Sequence, residues 1–215
     1  MKGITFDGLH TYDDFFLILS KKEIGTPAAK VKKISVEGAD SELDLTDFFG
    51  EPKYENVVHK FEFSTMVQAN EFLLLFSAIK NALHGKKKRI ILDDDPLYYY
   101  TGRISVSKFT SEKNIGVVSI ECDCEPYKYK IAKTVVSKAV NGTEAITLTN
   151  ARKRAVPEVL IETDGSLNIV YQGSNVWDLG SGSFTLPELE LEEGDNVVTV
   201  TGTGNITFTW QEGAL

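Results

Sequence analysis

Cysteine and histidine are scarce in this 215-residue chain, with two and three residues respectively. Two cysteines are too few for the disulfide framework of a small secreted domain. Cys122 and Cys124 lie one residue apart, and no second Cys or His pair follows to complete four metal ligands. The spacing reads best as two reduced thiols on one face of a strand, packed as small hydrophobes. Long apolar runs are missing too. The longest covers residues 72–76, about a quarter of a membrane span. Residues 1–7 lack the apolar stretch of a secretory signal. The expectation is a soluble protein made in a cytosol.

Basic residues are absent from position 155 onward, where ten acids occur. The net charge of -8 therefore divides into +2 for residues 1–154 and -10 for the remainder. The acidic total argues against a protein that wraps nucleic acid, and no sequence-specific nucleic-acid partner is expected. A near-neutral first part suits close packing between copies, whereas the acidic part would repel its own copies and splay outward. Hydrophobic and charged contents of 42% and 25% are those of a globular protein.

What is present is mostly period two. His59, Phe61 and Phe63 alternate with Val58, Lys60 and Glu62, as in a half-buried strand. Val118, Ile120, Cys122 and Cys124 make a second such face. Further strands are expected at 15–19, 89–92, 97–106 and 127–131, then at 159–163, 167–171, 183–186, 196–201 and 205–210. One helix is predicted over 65–83, with Thr65 and Gln68 as a capping box and His84-Gly85 as the stop. Leu73 and Leu74 widen its apolar stripe beyond what one sheet needs. Residues 132–141 read as a polar connector. The predicted domains are 1–132 and 133–215.

Catalytic constellations do not assemble. No G-x-S-x-G elbow or phosphate-binding glycine loop occurs, and His10, His59 and His84 stand apart. No enzyme activity and no cofactor are expected. Asp93-Asp94-Asp95-Pro96 reads as a turn rather than a cation loop, because the spaced acids and terminal Glu of such loops are missing. Arg152-Lys153-Arg154 sits where it can meet the acidic part electrostatically. Tyr98, Tyr99 and Tyr100 fall on a strand, so at least one ring must face away from its neighbours; core or subunit contact suits them better than a sugar. Trp177 and Trp210 are the candidates for stacking a glycan in an alternative reading, a carbohydrate-binding adhesion module.

Ile4 to Gly8, Val36 to Thr46, Leu92 to Arg103 and Cys124 to Tyr129 stand in an order that resembles the distal tail protein family of siphophages that infect Gram-positive bacteria. The stretches are Ile4-Thr5-Phe6-Asp7-Gly8, then Val36-Glu37-Gly38-Ala39-Asp40-Ser41-Glu42-Leu43-Asp44-Leu45-Thr46, where Ser41 stands in place of the usual Gly. Leu92-Asp93-Asp94-Asp95-Pro96-Leu97-Tyr98-Tyr99-Tyr100-Thr101-Gly102-Arg103 is similar to the family's acidic turn and tyrosine-rich strand, and Cys124-Glu125-Pro126-Tyr127-Lys128-Tyr129 to its closing motif. The resemblance implies a mainly β (α+β) fold: an N-terminal β-sheet or split-barrel domain with one helix, and a C-terminal galectin-like β-sandwich. It also implies a structural protein of the virion tail tip, from a phage or prophage, assembled in the bacterial host cytoplasm. Such a protein forms a ring, a hexamer, joining the tail tube protein to the tail-associated fibre protein and receptor-binding protein. Candidate ring contacts are Tyr98, Tyr99 and Tyr100, with Gly25, Pro27 and Lys30 in an extended loop. No membrane partner is expected.

Overall fold

Alternating polar and apolar residues dominate both halves of the chain, and the computed structural model, which describes residues 3–48, 50–112 and 115–215, is accordingly mainly β. Two units are distinguished, Met1–Lys128 and Tyr129–Ala214. The first holds β1 (Ile4–Phe6), β2 (Leu9–His10), α1 (Thr11–Phe15), β3 (Ile18–Glu23), β4 (Lys33–Ile34), β5 (Leu43–Asp44), β6 (Val57–Thr65), α2 (Phe72–Leu83), β7 (Lys87–Leu92), β8 (Tyr98–Glu112) and β9 (Ile115–Cys124). Its main sheet runs β2-β1-β7-β8-β9-β6-β3, antiparallel throughout.

The period-two pattern places the core. Val57, His59, Phe61, Phe63 and Thr65 of β6 are buried, as are Val118, Ile120, Cys122 and Cys124 of β9. Burying Phe61 and Phe63 contributes roughly 2–3 kcal/mol each. Both cysteines are free thiols; burial pushes Cys124 up to about 12 and Cys122 further still. On β8 a bulge between Val106 and Lys108 shifts the alternation by one residue. Without it Lys108 would point inward; with it Phe109 does, and its ring stacks on Phe76 of α2 at 5.0 Å.

Two local expectations are corrected. The helix does not start at Thr65, which continues the inward alternation of β6 and pairs with Gly116. α2 begins at Phe72 after a single 3-10 turn, and its N-cap, Glu71, makes no side-chain capping bond. The strand expected at 15–19 begins at Ile18 instead, because Phe15 closes the short α1 and Phe16 takes a left-handed turn at φ 52°.

The second unit holds β10 (Lys128–Lys130), β11 (Thr134–Asn150), β12 (Glu158–Glu162), β13 (Leu167–Tyr171), β14 (Asn175–Leu179), β15 (Gly182–Thr185), β16 (Gly194–Trp210) and β17 (Gly213–Ala214). Its sheet runs β14-β13-β16-β12-β15, with β11 on the other edge of β16. β11 and β16 pair along their whole length, from Thr134↔Trp210 to Asn150↔Gly194. Residues 132–141, read as a connector, thus supply half of a 17-residue strand. β16 also runs unbroken where two strands were expected. Its second edge changes partner midway: Val198–Thr201 pair with β13, and Asn205–Thr209 with β12.

Glycine makes that change possible. Gly202 and Gly204 have φ of 139° and 159°, and a Cβ on Gly204 would lie 2.6 Å from the Glu162 carbonyl oxygen. The sheet then wraps one core, in which Val159, Ile161, Phe208 and Trp210 from one end meet Leu167, Ile169, Val198 and Val200 from the other.

Candidate functional site

Between β3 and β6 the chain leaves the main sheet as a two-stranded arm. Lys30 N donates to the Lys53 carbonyl at 2.7 Å, Glu55 N to Ala28 at 2.8 Å, and Leu45 N to Lys32 at 2.8 Å. β4 and β5 continue the ladder, and Gly38, at φ 85°, lies in the stretch that joins them. Val31, Ile34, Val36, Leu43 and Phe48 are exposed along the arm, Phe48 to 72%. Apolar side chains concentrated on an exposed extension mark a contact surface.

The predicted ring residues lie at its root and along it. Gly25 donates its N–H to Nδ1 of His59 at 3.2 Å. Pro27 is half-buried, and Lys30 reaches Glu55 at 4.0 Å. Sequence reasoning placed a loop here and missed the paired ribbon, since strands this short carry no periodicity. Met66, ahead of α2, and Leu73 and Leu74, on its first turn, are exposed as well.

Asp93, Asp94 and Asp95 diverge to three separate partners. Asp93 accepts from Gly3 N at 2.7 Å and meets His10 Nε2 at 3.2 Å. Asp94 pairs with Lys22, and Asp95 accepts from Lys128 Nζ at 2.7 Å. The triplet ties β3, β1 and the end of the first unit to one turn. The tyrosines that follow are each engaged as well. Lys128 lies 4.7 Å over Tyr98, Arg89 4.8 Å over Tyr99, and Tyr100 sits edge-on to His59 at 4.5 Å. All three rings are half-buried.

The histidines carry structural bonds: His10 with Asp93, His59 with Gly25, and His84 accepting from Val106 N at 3.1 Å. Among the described residues no group of three His, Cys, Asp or Glu is placed to hold a metal, and no helix is long and apolar enough to cross a membrane. A groove of about 620 Å³ opens where β16 changes partner, lined by Glu162, Asp164, Ser166, Ser181 and Thr203. It contains no aromatic ring.

In the second unit Trp210 is a core residue rather than a stacking platform. It is 2% exposed, and its Nε1 donates to Asn150 Oδ1 at 3.1 Å. Trp177 is half-buried on β14 and packs against the same core. The basic trio meets the acidic segment: Arg152 pairs with Glu193 at 2.7 Å, and Arg154 with Glu190 and Glu192 at 3.1 Å. Counted by structural unit the charge division shrinks. Residues 1–128 carry 17 basic and 20 acidic residues, and 129–214 carry 6 and 11. Net charges of -3 and -5 remove the expected contrast between a neutral and a strongly acidic domain.

The chain thus combines an antiparallel sheet carrying one long helix and a two-stranded arm with an all-β unit wrapped around a long strand pair. The chain matches the crystal structure of the SPP1 Dit protein, described as a paradigm of the hub adsorption apparatus in phages infecting Gram-positive bacteria. The match has a TM-score of 0.73 and covers 100% of both chains at 15% sequence identity. Neither a protein-family model nor a curated protein matches the chain.

Proposed function

We propose that this chain is a distal tail protein, a structural subunit of the hub at the tip of a phage tail. The observation that carries the reading is the full-length fold match, which spans both units of both proteins. Copies assemble head-to-tail into a closed ring, a hexamer, with the first unit forming the ring. The ring joins the tail tube protein to the tail-associated fibre protein and the receptor-binding protein. Assembly takes place in the cytoplasm of the bacterial host.

A head-to-tail ring needs two different surfaces on each subunit that complement one another. The arm offers one, through Val31, Ile34, Val36, Leu43 and Phe48, and the exposed Met66, Leu73 and Leu74 offer another. Burying each such side chain on a neighbour is worth roughly 1–2 kcal/mol. Gly25, Pro27 and Lys30 set the angle at which the arm leaves the sheet. Tyr98 and Tyr99 contribute the parts of their rings that their cations leave open. Negative-stain microscopy of the purified chain tests the reading. Closed six-fold rings are expected; isolated particles of single-subunit size at every concentration would contradict it.

A further inference from the structure

β11 has one hydrogen-bonded neighbour, β16, so among the described strands its other edge is open from Thr134 to Asn150. Native proteins blunt an edge this long with prolines, bulges, charges on either face or a cover. Here the solvent-facing side from Val135 to Thr149 carries only Val, Ser, Ala, Asn and Thr. The strand has two charges, Lys138 and Glu144, and among the described residues neither makes an ion pair within its own chain.

Those two charges lie three residues to either side of Asn141. An antiparallel pairing of β11 with a second copy, centred on Asn141, sets Lys138 opposite Glu144 at both ends. It also sets Val136 opposite Ile146, and leaves no like charges facing. Because the centre is a residue and not a peptide bond, core-facing positions meet core-facing positions. A one-residue slip would oppose core and solvent faces. Centring on residue 138 or 144 would oppose Lys with Lys or Glu with Glu. One register satisfies both charge and facing.

We propose that two copies of this chain join edge to edge along β11, antiparallel about a two-fold axis at Asn141, to form one continuous sheet. The contact is isologous and uses the second unit alone, so it is independent of ring formation by the first. Where rings form, it links subunits pairwise or one ring to another. Gly142, beside the axis, has a φ of 94° and presents no side chain to the partner strand.

Sedimentation velocity on the full chain tests this with charge exchange. The wild type gives a two-chain species, or a doubled ring. K138E and E144K each turn two attractive cross-strand pairs repulsive, raising the dissociation constant about tenfold. The double variant K138E/E144K regains wild-type association. So does an equimolar mixture of the two single variants, because their opposite charges then face across the axis. Absence of any paired species in the wild type overturns the proposal, as do single variants that associate normally or a mixture that stays apart. Loss of rings in an arm-shortened variant that still forms pairs would bear on the ring reading alone.

Discussion

Gly25 N–H points at Nδ1 of His59 from 3.2 Å, so the first residue of the arm is fastened to a ring that is 1% exposed. His59 Nε2 finds no hydrogen-bond partner among the described residues; Cys122 is its partner on the adjoining β9, and the Tyr100 ring of β8 lies edge-on to it. Burial holds the imidazole below its ordinary pKa. Only the neutral ring can accept from Gly25. A Cβ on Gly25 would lie 2.6 Å from Val57 Cγ2 and 2.8 Å from the Val58 carbonyl oxygen, so no other residue fits this fastening.

Stability falls in mild acid for this reason. The unfolded histidine takes a proton below about pH 6.5 while the folded one resists it, so His59's contribution is complete above that value and is lost as pH drops through the lowered folded pKa. Urea midpoints measured across this range should decline in the wild type. The decline should flatten in His59→Phe, and an unchanged slope in that variant would refute the assignment.

Gly25→Ala should destabilise the first unit by roughly 2–3 kcal/mol through overpacking. Equilibrium denaturation reads the cost. Gly8→Ala, at a positive φ of 87° with open space around it, separates backbone strain from collision and should cost about 1 kcal/mol.

The partner change in β16 should be equally sensitive. Gly204→Ala adds a methyl 2.6 Å from the Glu162 carbonyl oxygen and 2.8 Å from Thr163 Cβ. It should cost at least about 2–3 kcal/mol in denaturation. Gly165→Ala, with nothing within 4 Å and no positive φ, should be nearly silent. Equal losses in the two variants would show that the close approach at 204 is unimportant.

Trp210 and Asn150 join opposite ends of the β11–β16 ribbon, one paired with Thr134 and the other with Gly194. Asn150 is 4% exposed and also donates to the Lys153 carbonyl at 2.9 Å. Trp210→Phe leaves its Oδ1 unsatisfied and should cost roughly 1–3 kcal/mol. Trp210 fluorescence should resist acrylamide, leaving Trp177 as the quenchable ring. Equal quenching of both, resolved in Trp177→Phe, would contradict the burial.

How far these features could be read beforehand follows from burial. Phe61, Phe63, Val118 and Ile120 alternate because one face of their strands is core, and the periodicity located them. Val135, Ser137 and Lys138 sit on an edge strand whose faces are largely wet, so the same segment looked like a connector. Thr65 resembled a helix cap because capping chemistry is local, whereas its partner, Gly116, lies 51 residues away in sequence. For Trp210 the glycan-stacking alternative stayed open because the residue that claims its indole, Asn150, is 60 positions distant. The arm's apolar residues gave no signal as a surface, since exposure is a property of the fold and not of residue type.

The central claim is that the first unit builds a ring through its arm, and the mass of the purified full chain tests it most directly. Light scattering coupled to size exclusion should give a closed oligomer for the wild type, six copies, or twelve where two rings join along β11. It should give only monomers, or pairs joined along β11, once residues 31–48 are replaced by a short glycine linker. Because Val31, Val36 and Phe48 are exposed, the shortened chain should keep its thermal midpoint within a few degrees. A wild type that stays monomeric at every concentration, or a shortened chain that still closes into rings, would contradict the account.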